Sequence, residues 1–243
     1  CSARLPIYVL FAQMFFGEHA LLAAYSLYVI GLLTAIGIAY VVHKGAGKEE
    51  GDALLIELPE YKTPNKRTVA IYVWEKVKDY LTKAGTTIFV ASIVLWFVLN
   101  MGPAGLVKDV SGSFAAMIGR FLVPALKPAG LGSWQIAVAL ISGLSAKEVV
   151  VSSFSVLYGI NNINSAAGMA QLSGILARDG FGAVNAYALM IFCLMYSPCV
   201  AAIGTIRRET KSLSWTAGLV IFQILIAWVM SVVVYQAGSL LVG

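Results

Sequence analysis

Charge is scarce in this 243-residue sequence. Asp, Glu, Lys and Arg make up 12% of it, against about 25% in a soluble globular domain. Apolar residues take their place, at 59%. A soluble protein of this size cannot cover its surface from so small a polar supply, which excludes a soluble enzyme and a nucleic-acid-binding domain. Disorder is excluded too, because it needs low hydrophobicity and high net charge. Cysteine is equally scarce. Cys1, Cys193 and Cys199 are the only three; they form no CxxC pair, so they set up neither a disulfide framework nor a zinc knuckle. Histidine occurs twice, as His19 and His43, both at predicted span ends. No His–carboxylate cluster suggests a catalytic metal centre. The sequence starts at Cys1 inside an apolar stretch without a basic n-region, which is not a signal peptide. The expectation is the C-terminal part of a longer protein.

Long apolar runs are what the sequence has in abundance, and its mean hydropathy is +0.83. A helix needs about 20 apolar residues to cross the hydrocarbon core. Uncharged runs of that order lie at 20–42, 84–107, 128–146 (continuing past a charged pair from Val149), 180–206 and 212–243. Residues 5–16 give a shorter piece, and 113–125 another, interrupted by Arg120 and Pro124. The runs are continuously apolar, so a transmembrane barrel with its alternating pattern is ruled out. The fold class predicted is all-α: a polytopic membrane helix bundle with about five full spans, short interfacial or re-entrant helices, and a broken helix near Pro198.

The remaining charge is concentrated. Residues 44–83 hold eight of the 17 Lys/Arg and seven of the 12 Asp/Glu, as expected of a solvated connector. Lys/Arg bias marks the cytoplasmic side, so this connector and the Arg207-Arg208-Lys211 cluster are both expected there. The division that follows is 1–43, N-terminal membrane segments; 44–83, charged connector with an amphipathic helix; 84–206, a membrane region; and 207–243, basic cluster and last helix. Gly45-Ala46-Gly47-Lys48 fails as a phosphate loop, because the upstream glycine position is Val42 and Glu49 follows the Lys.

Against this apolar background the polar exceptions are informative. Lys147 and Glu148 fall between two apolar runs. A charge at the bilayer centre costs about 2.5–3.5 kcal/mol on insertion scales, so such residues face protein or a water-filled cavity and mark a pathway, or else form a structural ion pair or a helix end. In Tyr196-Ser197-Pro198-Cys199 the proline removes an amide donor and breaks the helix. Freed carbonyls are tolerated in a membrane only where they line a cavity or meet protein. Transporters build ion sites at such breaks. Here a thiol stands beside the break, and thiolate is a soft ligand for late divalent metals. Cys1 also neighbours a proline, Pro6; Met195 could add a thioether. Cys193 has no such setting and reads as packing.

An ordered set of motifs runs along the chain: Cys1-Ser2-Ala3-Arg4-Leu5-Pro6, Glu57-Leu58-Pro59-Glu60-Tyr61, Trp74-Glu75-Lys76, Lys83-Ala84-Gly85-Thr86, Ala146-Lys147-Glu148-Val149-Val150, Ser197-Pro198-Cys199-Val200-Ala201 and Ile206-Arg207-Arg208-Glu209. The set resembles the membrane domain of the FeoB ferrous-iron transporters of bacteria. The resemblance implies Fe2+ as transported substrate in the bacterial inner membrane, and a second Gate region over 84–206. It implies metal handling by Cys1 and Cys199, with Met195 a weaker candidate, and a gated pathway past Lys147, Glu148, Ser197 and Pro198. GTP and Mg2+ belong to an N-terminal GTPase domain outside this sequence. The partners implied are the lipid bilayer, the N-terminal remainder of the transporter, small Feo accessory proteins and further copies of the chain. Two other classes stay open on the residues alone: a membrane-embedded thiol enzyme with Lys147 or Glu148 as base, and a scaffold subunit that anchors a GTPase.

Overall fold

The computed structural model describes residues 2–45, 63–83, 85–86, 89–103, 105–107, 109–196 and 198–242. Eleven α-helices account for about three quarters of them: α1 (Leu5–Phe16), α2 (Ala20–Gly45), α3 (Lys66–Lys83), α4 (Phe89–Asn100), α5 (Phe114–Leu126), α6 (Trp134–Ser142), α7 (Val149–Tyr158), α8 (Ala166–Arg178), α9 (Ala183–Met195), α10 (Val200–Thr210) and α11 (Leu213–Val242). A two-residue antiparallel ladder, Met101–Gly102 on Gly105–Leu106, is the one sheet among the described residues. The class is all-α, as the apolar runs require.

The number of spans differs from the sequence reading. Three stretches are long and apolar enough to cross a membrane: Leu5–Gly45, Ala183–Thr210 and Leu213–Leu241. A fourth is made if Phe114–Ala129 and Trp134–Ser142, bent by 102°, count as one broken span. The expected five continuous spans are therefore not found among the described residues. The reason is that counting apolar residues measures hydrophobicity, not continuity. Among the described residues the 84–107 run holds the 12-residue α4, about 18 Å of helix, followed by the Met101–Gly102 strand. The 128–146 run yields the 9 residues of α6 and then stops at Gly143.

Helix direction is fixed by pairwise contacts. Ser26 Oγ lies 2.6 Å from Tyr187 Oη, and Gly31 packs on Leu194, so α2 and α9 run parallel. Ser231 Oγ donates to the Ala188 carbonyl (3.0 Å) while Gly238 packs on Val184, so α11 runs antiparallel to α9. Phe15 meets Phe181 edge-on at 5.7 Å, which places the C-terminal end of α1 at the start of α9. Gly17, at φ +48°, turns the chain between α1 and α2, a conformation that costs a side-chain-bearing residue far more than glycine. The basic ends of α2 (His43, Lys44) and α10 (Arg207, Arg208) accordingly lie on one side of the bundle.

The core is built around α9. Ala186 and Ala188–Cys193 are all buried between α1, α2 and α11. Phe11 of α1 meets Phe154 of α7 edge-on at 5.3 Å. By contrast α3 is exposed on every face, which fits its place in the charged segment.

Candidate functional site

The break in the α9–α10 stretch falls where Pro198 removes an amide. Tyr196 (φ −67°, ψ 165°) closes α9 and Cys199 (φ −65°, ψ 162°) opens α10, both in extended conformation. A second break, between α6 and α7, spans Gly143 to Glu148 and contains no proline. There the chain turns tightly: Leu144 N–H donates to the Ile141 carbonyl (3.0 Å), and Ser145 N–H to that of Ser142 (3.1 Å). Ser145 Oγ also donates to Ser142 O (2.7 Å). Serine hydroxyls bonding to nearby carbonyls offer the backbone an alternative to the helical ladder, and here they close the end of α6.

The two breaks meet. Each leaves backbone groups that a continuous helix would have paired, and they pair with each other: Val200 N–H, at the first position of α10, donates to the Leu144 carbonyl at 2.8 Å. One turn away, Tyr196 Oη donates to the Leu140 carbonyl at 3.4 Å. Gly143 makes the approach possible, since a Cβ there would collide with Tyr196 Oη and Val150 Cγ2. Lys147, only 3% exposed, lays its ammonium over the Tyr196 ring with Nζ 2.9 Å from the centroid. A cation on an aromatic face is attracted by the ring quadrupole, and more so when water is excluded.

Around this crossing lie Cys193, fully buried on α9, and Cys199, half-buried at the start of α10. Of the residues expected from sequence, Lys147, Pro198 and Cys199 therefore fall at one crossing. Glu148 is beside it but exposed. Met195, the last residue of α9, borders a cavity of about 370 Å3 shared with Arg4, Thr34 and Gln223. Cys1 and Ser197 lie outside the described residues. Among the described residues no three His, Cys, Asp or Glu side chains converge to hold a metal ion. Sequence reasoning gave no role to Tyr196, Arg4, Tyr8 or Cys193. Tyr196 and Arg4 stand in the same motifs as Cys199 and Cys1, which was a usable signal. Cys193 sits in an unbroken apolar run and offered none.

Two cavities flank the crossing. One of about 630 Å3 runs along α4 and reaches Leu144, Ser145 and Val200. The other, about 430 Å3, lies between α5, α6, α9 and α11 and reaches Leu144 and Tyr196. The junction of the breaks is thus bordered by an open groove on each side.

Comparison with known proteins agrees with this architecture. Residues 81–213 match the Gate family, described as nucleoside recognition, and residues 24–76 match the family described as ferrous iron transport protein B C terminus. The chain is 39% identical over 242 residues to the Fe(2+) transporter FeoB of Staphylococcus aureus strain MSSA476, covering 100% of this chain and 35% of that protein. It is 36% identical over 249 residues to FeoB of Methanocaldococcus jannaschii, covering 99% of this chain and 36% of the relative. A fusion of Fe(2+) transport protein A with FeoB in Porphyromonas gingivalis is 31% identical over 281 residues, covering 99% of this chain and 33% of the fusion. The chain thus spans about a third of the length of these relatives. No solved structure matches. A multi-pass helical chain with two facing helix breaks, matched along its length by the membrane part of these transporters, belongs to the FeoB family.

Proposed function

We propose that this chain is part of the permease through which a FeoB-type transporter moves ferrous iron across the bacterial inner membrane, under the control of a GTPase domain that holds GTP and Mg2+ elsewhere in the protein. The observation that carries the reading is the meeting of two broken helices at a thiol: Cys199 beside Pro198, joined to the second break by the Val200–Leu144 hydrogen bond. Fe2+ stands low in the divalent affinity order, so a pathway for it needs few ligands that exchange readily. Cys199 supplies one thiolate at the crossing; Cys1 is the second metal-handling cysteine that the family resemblance implies, and Met195 a weaker thioether. Glu148 offsets charge beside Lys147. Pro198, which has no amide donor, keeps the break open, and Ser197 is a pathway position implied by the resemblance. Residues 84–206 form the second Gate-type region, a division supported by the family match to 81–213. The basic ends of α2 and α10 share one side of the bundle, which supports a cytoplasmic placing of that side.

The remaining parts of the proposal follow from the relatives. A partner of the Fe(2+) transport protein A type is supported by the fusion in Porphyromonas gingivalis. Assembly with further copies of the chain is part of the same reading. The test is Fe2+ uptake into proteoliposomes by the full-length transporter and its Cys199→Ser variant at equal incorporation. Uptake that falls at least about tenfold in the variant, equivalent to 1.4 kcal/mol, supports the thiol pathway. Equal uptake moves the pathway towards Glu148, and no uptake by a well-folded parent favours the scaffold.

A further inference from the structure

The cavity of about 370 Å3 beside Met195 holds polar groups that the transport reading leaves unused. One wall is α2, through Thr34 and Ile38. The other is α11, through Phe222 and Gln223, and Arg4, just before α1, lines it as well. Thr34 lies 11 residues from the end of α2 at Gly45, and Gln223 lies 10 residues from the start of α11 at Leu213. At 1.5 Å per residue that is about 15 Å of helix, half the thickness of the hydrocarbon core. The half-buried Arg4 side chain therefore stands deep in the bundle, between two of its long apolar stretches.

A charge at that depth needs an answer. Ionisable groups inside membrane bundles pair with one another, meet backbone carbonyls or face water, and a buried charge left without its partner is strongly destabilising. Among the described residues no Asp or Glu lines this cavity, and α1, α2, α9 and α11 contain none. Arg4 Nε and Gln223 Oε1 are both buried, with no hydrogen-bond partner among the described residues. One cavity thus has an unsatisfied donor and an unsatisfied acceptor on residues of its lining, and no counter-charge. Its outer edge is open, with Leu219 36% and Phe222 49% exposed. A lipid phosphate would have to leave the interface by about 15 Å to reach Arg4. The relatives are about three times the length of this chain, which leaves room for further membrane segments of the same transporter.

We propose that the crevice between α2 and α11 seats a further membrane helix of the full-length transporter, and that this helix brings a carboxylate to Arg4 and a hydrogen-bond donor to Gln223. The ion pair ties the start of α1 to the seated helix, beside Met195 at the end of α9. A guanidinium suits this role, because it stays charged and accepts a carboxylate on two N–H groups at once. The proposal rests on membership of the FeoB family and not on the thiol pathway, so equal Fe2+ uptake by Cys199→Ser would leave it standing.

The test places the photoreactive residue p-benzoylphenylalanine at position 222 of the full-length transporter in its membrane. Illumination is expected to give a crosslink within one polypeptide, at monomer size. Mass spectrometry is expected to locate the far end outside this chain, in an apolar segment that holds an Asp or Glu. Arg4→Glu should then lower the thermal midpoint in mixed micelles, and so should replacing that acid by Lys. The two together should restore it, because the pair is re-formed with its signs exchanged. If a charge reversal does not fold, the neutral pair reads the same coupling: Arg4→Gln and acid→Gln combined should be more stable than either alone, since no charge is left unpaired. A phospholipid adduct, a dimer-sized product from a second copy, or no protein adduct at all would overturn the proposal. So would losses that simply add in the double variant, or a midpoint that chloride or inorganic phosphate raises in the parent and not in Arg4→Gln, which would make the partner a free anion.

Discussion

α11 and α9 are neighbours of opposite design. α11 runs 30 residues from Leu213 to Val242 without a break, and most of its large side chains, Trp215, Ile221, Phe222, Leu225 and Val233 among them, are exposed. α9 stops after 13 residues at Met195 and is buried over most of its length. α2 repeats the pattern of α11: 26 residues, with only Ala23 and Leu27 buried. α6 repeats that of α9: 9 residues, six of them buried. In lipid an unbroken helix satisfies its own backbone and needs no neighbour, so its side chains are left free to face hydrocarbon. A broken helix must find partners for its freed backbone groups, and α9 and α6 find them inside the bundle. The long helices present most of their surface outward; the broken ones meet at the crossing.

Substitutions on the two kinds of helix sharpen this contrast. The largest effect is expected from Tyr196→Ala, which removes a ring that is 3% exposed, stacked on Phe192 at 5.4 Å and under the Lys147 ammonium. A loss of about 3–5 kcal/mol should appear in equilibrium unfolding in mixed micelles. Gly143→Val comes next. Its Cβ would strike Tyr196 Oη and Val150, and overpacking of this kind costs about 1–3 kcal/mol; Fe2+ uptake at equal incorporation should be lost with it. Ser231→Ala removes the hydroxyl that ties α11 to the Ala188 carbonyl. Interhelical hydrogen bonds in membranes average about 0.6 kcal/mol, and a loss of that size with normal uptake is expected. The smallest effects belong to Gly37→Val and Gly218→Val on the long helices, where a side chain would meet nothing within 4 Å. Both should fall within about 0.5 kcal/mol of the parent. A large loss at either glycine, or none at Gly143, would break the distinction between the two classes of helix.

The same contrast explains what could be read from the sequence. α2 and α11 were legible because an unbroken helix facing lipid is fully described by its apolar run. The break at Pro198 was legible because proline enforces it chemically. The break at Gly143 was not, since Gly143-Leu144-Ser145 carries no residue that forbids a helix; tertiary pairing of Leu144 with Val200 selects the turn, and hydropathy is blind to it. The overcount of spans has the same cause. Lys147 stood out as a charge in an apolar setting, but its resting place on Tyr196 depends on two segments about 50 residues apart.

The central claim is that the two breaks form one unit, joined by the Val200 amide on the Leu144 carbonyl, and Val200→Pro tests it most directly. Proline is well tolerated at the first position of a helix, and Cys199 before it already has the extended conformation (φ −65°, ψ 162°) that a following proline requires. The substitution therefore deletes the bridging donor with little other disturbance. Removing the donor to the carbonyl of half-buried Leu144 should cost about 0.5–1.5 kcal/mol, and Fe2+ uptake by the full-length transporter should fall, while Leu213→Pro at the first position of α11 should change neither. Parent-like stability and uptake in Val200→Pro would contradict the account.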